Sequence, residues 1–455
     1  MTPLPAAAAP GWRQIARGLY ANALDIFPPE AFEEDVVRRR FLGREQIILS
    51  EPQAIRRILV DNPENYGRTA ATMRILRPVL GNGLLLAEGA EWRRQRRILA
   101  PAFAPRTLPL VARHAALAAE RAVERLAAAE RPIDLLAELQ YLTLEVAGRA
   151  LFSLETERFA APMRRLLIDY GADLGRPSPL DIILPRWLPS PRDFLRRRFR
   201  RRWRALLAQI IAERRRRGPA APGDLFDLIA ATRDPETGEG FSPAGLADEV
   251  ATLIVAGHET TALALFWSLY LLCEAPAAMA RLHAEAAPLD LGPEGAAESL
   301  PRLVYTRAVV EEALRLYPPA FAIARQARAP DRAGGIAIPA HAVILIAPWV
   351  LHRHRRLWHE PERFDPARFL PTAPRPDRFR YLPFGVGPRT CIGAQFALVE
   401  ASLVLARLVQ AFAIERIGEE RVRPVGVVTT RPDPAPLFRL RPRDGTSDRR
   451  RPYPR

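Results

Sequence analysis

Hydrophobic and polar positions along this chain fall into a few long helical patterns and several short β-like runs. Helical periodicity starts at Glu88, and between 108 and 151 Ala, Leu and Glu recur at 3.6-residue spacing. The longest pattern begins at Ser242, a fitting N-cap, with Pro243 in the first turn and no further proline until Pro276. At 1.5 Å per residue this span predicts a helix of about 45–50 Å. It is apolar on all sides, which places it in the middle of a large domain and not on a surface. One further helix is predicted to run through Arg315, and another to open at Cys391 and reach Phe412. Strands are predicted at Gln46-Ile47-Ile48-Leu49, 335–338 and 342–346, with a hairpin made by 425–430 and 437–440 around the Pro-rich 432–436. Asn82-Gly83 reads as a turn, and breaks fall at 175–191, 218–223, 234–240 and 287–301. There is no internal repeat and no sharp change of composition. The pattern predicts a mainly α fold with a smaller β region in a single large domain.

Composition narrows this further. A chain of 455 residues, 48% of them hydrophobic, is neither disordered nor a small scaffold dependent on cross-links. Cys273 and Cys391 are the only cysteines, so neither a four-cysteine metal site nor a disulfide framework is available. Two free thiols in a reducing compartment are expected. All 67 basic residues are Arg, and the net charge is +16. Residues 186–217 hold 13 Arg against Asp193 and Glu213, and residues 439–455 hold 7 against Asp444 and Asp448. These two stretches account for the whole surplus. The first reads as a helix with a solvated face, with contact to a membrane surface as the second reading. Nothing accompanies it that would read nucleic acid, such as a zinc-finger spacing or a heptad-linked basic region. The N-terminus lacks the basic start and apolar core of a secretory signal. The most apolar stretch, 251–273, is interrupted by His258 and Glu259, which leaves only 14 uncharged residues before Glu274. That is too short to span a bilayer, so a cytoplasmic protein without a transmembrane segment is expected.

Candidate chemistry concentrates in Phe384-Gly385-Val386-Gly387-Pro388-Arg389-Thr390-Cys391-Ile392-Gly393. Three glycines beside one thiol let a backbone turn tightly and approach a flat group closely. At the start of a helix, Cys391 would be favoured as the thiolate by the free amides and the positive helix end, with Arg389 adding a nearby cation. The buried central helix carries a polar cluster, Ala256-Gly257-His258-Glu259-Thr260-Thr261. An acid and a hydroxyl at adjacent buried positions are costly unless partnered or used. A Thr inside a helix can also bond back to the preceding turn and loosen it. Glu312 and Arg315, three residues apart, share one helix face and suit an ion pair. Trp92 and Arg96 likewise share a face.

The spacing F-G-x-G-x-R-x-C-x-G resembles the haem-ligand loop of the cytochrome P450 superfamily, and the other motifs follow in family order between residues 92 and 393. The Trp-x-x-x-Arg spacing is similar to that of the fatty-acid-oxidising and microsomal branches, in a chain otherwise of the bacterial soluble type. The resemblance implies that Cys391 is the axial thiolate of haem iron, the cofactor being haem b. It implies that Arg389, Trp92, Arg96 and Arg325 hold the haem propionates. Phe384 would pack beside the sulfur, while Gly385, Gly387 and Gly393 allow close approach. Ala256 and Gly257 would leave space over the haem, with Thr260 in a hydrogen-bond relay and Glu259 supplying protons. His258 is not expected to bind iron. Glu312, Arg315 and Arg368, the last chosen over Arg363, would form a buried structural network.

The implied activity is that of a monooxygenase, inserting one atom of O2 into a C–H bond of an apolar substrate such as a fatty acid, terpenoid or aromatic. Met73, Leu76, Val79, Leu80, Leu253, Phe321, Ile323, Val427 and Val428 fall where the family lines its substrate site, with Arg74 and Arg77 as the only nearby cations. The haem domain would span 30–440, with 1–29 as an N-terminal extension and 441–455 as a disordered basic tail. Electrons would come from a separate ferredoxin, flavodoxin or reductase. The alternatives are a peroxide-driven peroxygenase, an isomerase or dehydratase of the same fold, and a haem carrier or sensor. The pair Glu259-Thr260 speaks against all of them.

Overall fold

The computed structural model describes residues 21–41, 44–153, 157–184, 187–218 and 224–443. At its centre runs the helix Pro243–Cys273, whose 31 residues span about 46 Å. Ser242 caps it as the sequence indicates, its hydroxyl accepting the Gly245 N–H at 3.1 Å. Leu263, Leu265, Phe266, Trp267, Leu269 and Leu272 on this central helix have no exposed surface at all. Burying each such side chain contributes about 1.5–3 kcal/mol. The helix packs along Leu135–Phe152 and against Ala394–Ala411. The helix Leu108–Ala127 meets Ala394–Ala411 through the buried Ala112, Ala115, Ala118, Ala119 and Ala122. Small side chains there let the two backbones approach closely.

The helical patterns between 108 and 151 form two helices, Leu108–Ala127 and Leu135–Phe152. Pro132 lies between them, the short strand Ile133–Asp134 follows, and Asp134 caps the second helix by accepting the Ala137 N–H at 3.0 Å. The helix expected to open at Cys391 starts later, at Ala394 with Gly393 as its N-cap. The Cys391 N–H is already bonded across the preceding loop, to Phe384 O at 2.8 Å.

A five-stranded sheet runs in the order Val36–Phe41, Arg44–Leu49, Val343–Ile346, Ile323–Ala327, Tyr66–Gly67. Its pairings are antiparallel except Arg44–Leu49 with Val343–Ile346. The C-terminal hairpin differs from the predicted one. Arg423–Gly426 pairs with Thr430–Asp433, while Leu437–Pro442 leaves to pair with Phe412–Arg416 and Ile133–Asp134. Its connection is therefore Val427-Val428-Thr429, which carries no turn residue, and the Pro-rich 432–436 lies past it. Trp267 Nε1 donates to Thr430 O at 3.0 Å and Thr430 Oγ1 to Pro318 O at 2.7 Å, so tertiary bonds place this hairpin.

The packed body starts before residue 30. Asn22 accepts the Gly426 N–H at 2.7 Å and donates to Pro424 O at 3.3 Å, and Leu24, Ile26 and Phe27 are buried behind it. At the other end Leu437–Pro442 is a paired strand, and residues 444–455 of the basic tail lie outside the described residues. The central helix and Ala394–Ala411 are each long and apolar enough to cross a membrane, but two thirds of each most apolar window is buried in the fold. They are core helices.

The basic stretch forms the helix Pro191–Arg216, and its face is not wholly solvated. Arg196 is 1% exposed and forks onto Asp181 at 2.6 and 2.8 Å. Arg214 is buried against Asp224 at 2.8 Å.

Candidate active site

The loop before Ala394–Ala411 is shaped by its own backbone. Thr390 N–H reaches Gly387 O at 3.0 Å, and its hydroxyl lies 3.3 Å from Phe384 O. Gly385 and Gly387 have φ of 69° and 81°, the left-handed region where a side chain is strained. Gly387 is doubly required, since a Cβ there would stand 2.3 Å from Leu59 O. At Gly393 an added Cβ would meet only Phe103, at 3.8 Å, so no protein neighbour demands glycine. Phe384 packs on the main core. Upstream, Leu382 N–H donates to His352 Nε2 at 2.8 Å and hangs the loop on a fully buried imidazole.

Burial, with the charges of Arg315 and Arg353, pushes His352 down to about 3, so it is neutral and free to accept that bond. Its folded value lies below the unfolded one. The stability it contributes is therefore complete above about pH 6.5 and is lost as pH falls towards 3. His352→Gln keeps an acceptor that does not titrate. Its melting temperature is expected to fall less steeply than the wild type's between pH 6.5 and 4. Parallel melting curves over that range would exclude His352 as the titrating support.

Cys391 is solvent-exposed as a residue while its thiol lies deep within the surrounding protein, an arrangement that fits a cleft inside the fold. Burial pushes its thiol up, against the downward pull of the Gly393 N–H and Arg96. The thiolate expected from the helix end is thus not favoured by the protein alone, because desolvation outweighs the helix start. A coordinated metal would deprotonate the thiol outright.

In the central helix, Ala256 and Gly257 are exposed while Ile254, His258 and Thr261 beside them are buried. A Cβ on Gly257 would meet nothing within 4 Å. An open face in the most buried helix is a cradle for a flat group. Thr260 Oγ1 donates to Ala256 O at 2.5 Å, one turn back. His258 is turned away, with Nδ1 2.9 Å from Ile254 O, and its carbonyl takes a bond from Thr143 Oγ1 at 2.8 Å. Glu259 lies against the C-terminal hairpin. Its Oε1 accepts Thr429 Oγ1 and Arg431 Nε, both at 2.7 Å, and pairs with Arg431 Nη2. Burial pushes the Glu259 carboxyl up, but Arg431, His258 and Thr429 outweigh it and hold it below the ordinary glutamate range.

Four arginines converge on the cleft. Arg389 donates to Ala87 O at 2.9 Å and lies 4.5 Å from the Trp92 ring centre. Arg96 donates to Thr390 O at 3.0 Å, next to Cys391, and Arg325 to Ala324 O at 3.0 Å. Arg68, which the sequence reading did not select, joins them. Burial and the Arg325 and Arg389 charges lower it to about 9, and burial with Arg389 lowers Arg325 to about 10. Burial also lowers Arg389 and Arg96. The carboxylates near them are already engaged, Glu88 with Arg328 at 3.2 Å and Glu64 with Arg93 at 2.8 Å. Crowded, desolvated cations of this kind need an anion, and the paired carboxylates of a haem supply one. The Cys391 thiol, the open helix face and the cation cluster therefore fit haem.

Glu312 and Arg315 show no exposed surface and form a two-pronged pair, both bonds 2.7 Å. Arg315 also binds His352 O at 2.8 Å, Pro361 O at 2.6 Å and Arg363 O at 2.9 Å. Arg368 stands 3.6 Å from Glu312 without a hydrogen bond to it, while the Arg363 side chain pairs with Glu360. Two expected substrate-site features are corrected. Arg74 is buried and spends its guanidinium on Leu180 O and Leu184 O at 3.1 and 3.0 Å, and Val79 and Leu80 lie in the core. Val428 is exposed and Ile323 lies beside Gly385, so they remain on the cleft side. Arg431 and Thr429 were also missed, because their partner is 170 or more residues away and no local spacing announces it.

These features define a haem-thiolate enzyme, and the sequence profile described as Cytochrome P450 matches residues 30–435. The chain belongs to the cytochrome P450 family and is a monooxygenase of that class. It is similar to cyclooctatin synthase of Streptomyces melanosporofaciens, 35% identical over 86% of this chain and 85% of that one. It is also similar to cyclooctat-9-en-7-ol 5-monooxygenase of the same organism, 34% identical over 86% and 83%. Among solved structures it resembles the cytochrome P450DA haem domain, with a TM-score of 0.83 and 25% identity over 97% of this chain and 98% of that one.

Proposed function

We propose that this chain hydroxylates a terpenoid, with haem b as cofactor and electrons from a separate ferredoxin, flavodoxin or reductase, in the cytoplasm. The observation that carries the chemistry is the enclosed but accessible Cys391 beside the desolvated Arg68, Arg96, Arg325 and Arg389. The substrate class is supported by the name of the 5-monooxygenase relative, which describes an unsaturated alcohol, and by the apolar Ile323 and Val428 near the cleft.

When bound, haem supplies the activation of dioxygen and the transfer of one oxygen atom to carbon. Cys391 would hold the iron, and the four arginines with Trp92 would seat the propionates. Gly385, Gly387 and Gly393 let the Cys391 loop lie close to the ring plane, and Ala256 and Gly257 keep the opposite face open. The Thr260 hydroxyl proton is committed to Ala256 O, so its lone pairs are left to accept a bond from a water or substrate in the cleft. Away from Arg431, Glu259 takes up a proton from solvent, hands it on towards the cleft and returns to Arg431 as the carboxylate. Glu312 and Arg315 fix His352 and the segment that follows it, on which the Cys391 loop hangs, with Arg368 beside them at 3.6 Å.

Titrating the holoprotein with terpenoid, fatty-acid and aromatic compounds tests the substrate class. Terpenoids are expected to give the low-to-high-spin change and a hydroxylated product. A response confined to fatty acids or aromatics would overturn the terpenoid reading. Arg431→Met tests proton supply. Without its cation the buried Glu259 titrates higher, so the acidic limb of the rate profile moves to higher pH and the share of oxygen lost as peroxide rises several-fold. Thr260→Ala is expected to lower product per electron roughly tenfold or more. An unchanged pH profile and peroxide yield in Arg431→Met would remove the pair from proton supply.

A further inference from the structure

Ten large hydrophobic side chains are exposed among the described residues, and six of them fall between 180 and 195. Trp187 is 80% exposed, Phe194 62%, Leu195 53%, Ile183 46% and Leu180 43%. Three charged side chains of the same region turn inward, while Arg197 stays exposed over the Phe194 ring. Asp181, Arg196 and Arg74 are buried, with Arg196 forked onto Asp181 and Arg74 gripping the carbonyls of Leu180, Leu184 and Leu188. These bonds lock the short helix Pro179–Ile183 to the start of Pro191–Arg216, so the apolar side chains are held outward by a rigid polar core. Charge inside and hydrocarbon outside is the inverse of a surface shaped for water.

One to two turns beyond Phe194 come Arg198, Arg201 and Arg202, all exposed and without an ion pair among the described residues. Along the helix they trail Phe194 by about 6–12 Å, close to the depth at which an interfacial helix meets lipid headgroups. A second copy of the chain would set two arginine collars against each other. The same region borders the hairpin that holds Glu259, since a Cβ on Gly175 would touch Val428 at 3.4 Å and one on Gly171 would lie 3.6 Å from Arg431. We propose that the apolar tip of Leu180, Ile183, Trp187, Phe194 and Leu195, with its collar of Arg198, Arg201 and Arg202, docks this protein peripherally on an anionic lipid bilayer. Docking of this kind is independent of which apolar substrate the site takes.

Cosedimentation of the holoprotein with vesicles tests it, using phosphatidylcholine alone and phosphatidylcholine mixed equally with phosphatidylglycerol. The protein is expected to follow the mixed vesicles, to bind phosphatidylcholine much more weakly, and to be released by salt. Changing Arg198, Arg201 and Arg202 together to Gln is expected to weaken binding to mixed vesicles roughly a hundredfold. Phe194→Ser with Leu195→Ser should abolish it. A blue shift of tryptophan emission on binding should disappear in Trp187→Phe. All these side chains are exposed, and an unchanged reduced carbon-monoxide spectrum would show that each variant still folds and holds haem. Truncation after Arg443, which removes the other basic stretch, should leave binding intact. The proposal is overturned if the holoprotein stays in solution with both vesicles, or binds both equally. It is equally overturned if only the truncation abolishes binding, or if the tip variants instead dissolve a dimer of this chain.

Discussion

Replacing Cys391 with serine is expected to leave the fold in place and to abolish the thiolate-type Soret band of the reduced, carbon-monoxide-treated protein. The loop does not depend on the sulfur for its shape. It is closed by the Cys391 N–H to Phe384 O and by the left-handed glycines 385 and 387, all of which serine preserves. What would be lost is the sulfur proposed to hold the haem iron. Removing a group that merely supports a metal ligand costs 10–100-fold in affinity or activity, so loss of the ligand itself should exceed about a hundredfold. Cys273→Ser is the control. Its sulfur is bonded to Ile414 O at 3.5 Å and burial pushes its thiol up to about 11, so the substitution should leave the spectrum unchanged. A thiolate-type band surviving in Cys391→Ser would remove Cys391 from the iron.

Glu312→Gln is expected to destabilise the protein by about 3–5 kcal/mol, the cost of leaving one partner of a buried pair charged and uncompensated. Arg368→Gln should cost about 1 kcal/mol or less, because Arg368 stands 3.6 Å from Glu312 and forms no hydrogen bond with it. The two are separable by their urea midpoints and by how much haem each retains. Replacing both Glu312 and Arg315 with apolar residues should not restore full stability. The carbonyls of His352, Pro361 and Arg363 would then lose their donor. Equal losses from Glu312→Gln and Arg368→Gln would show that the network is a true triad and not a pair with an outlying cation.

Features encoded within one short segment were legible in the sequence. The Cys391 loop, the central helix with its Ser242 cap, and Glu312 with Arg315 depend on residues within a few positions of one another. The helical patterns on either side of Pro132 were legible too, each set by its own periodicity. What stayed hidden depends on distant partners. Arg431 is an ordinary strand residue until the fold sets it on Glu259, and Arg68 gains meaning only from Arg325 and Arg389. The turn at Val427-Val428-Thr429 escaped because tertiary bonds to Trp267 and Pro318 hold the hairpin, and no turn residue does. The basic helix misled in the opposite direction. A run of arginines reads as solvated, yet Arg196 and Arg214 pair inside with acids that lie outside the run.

Asn22 binds Gly426 across 404 residues of sequence, and it is this hairpin that carries Thr429 and Arg431 to Glu259. During synthesis the first strut of the hairpin leaves the ribosome long before the hairpin itself exists. The Glu259 pair is thus among the last contacts the growing chain can make, after the central helix and the Cys391 loop have emerged. An interrupted translation product could contain the thiol and its helix yet lack the clasp on the acid. Nascent chains of increasing length should therefore acquire the ability to hold haem before they acquire control over the acid.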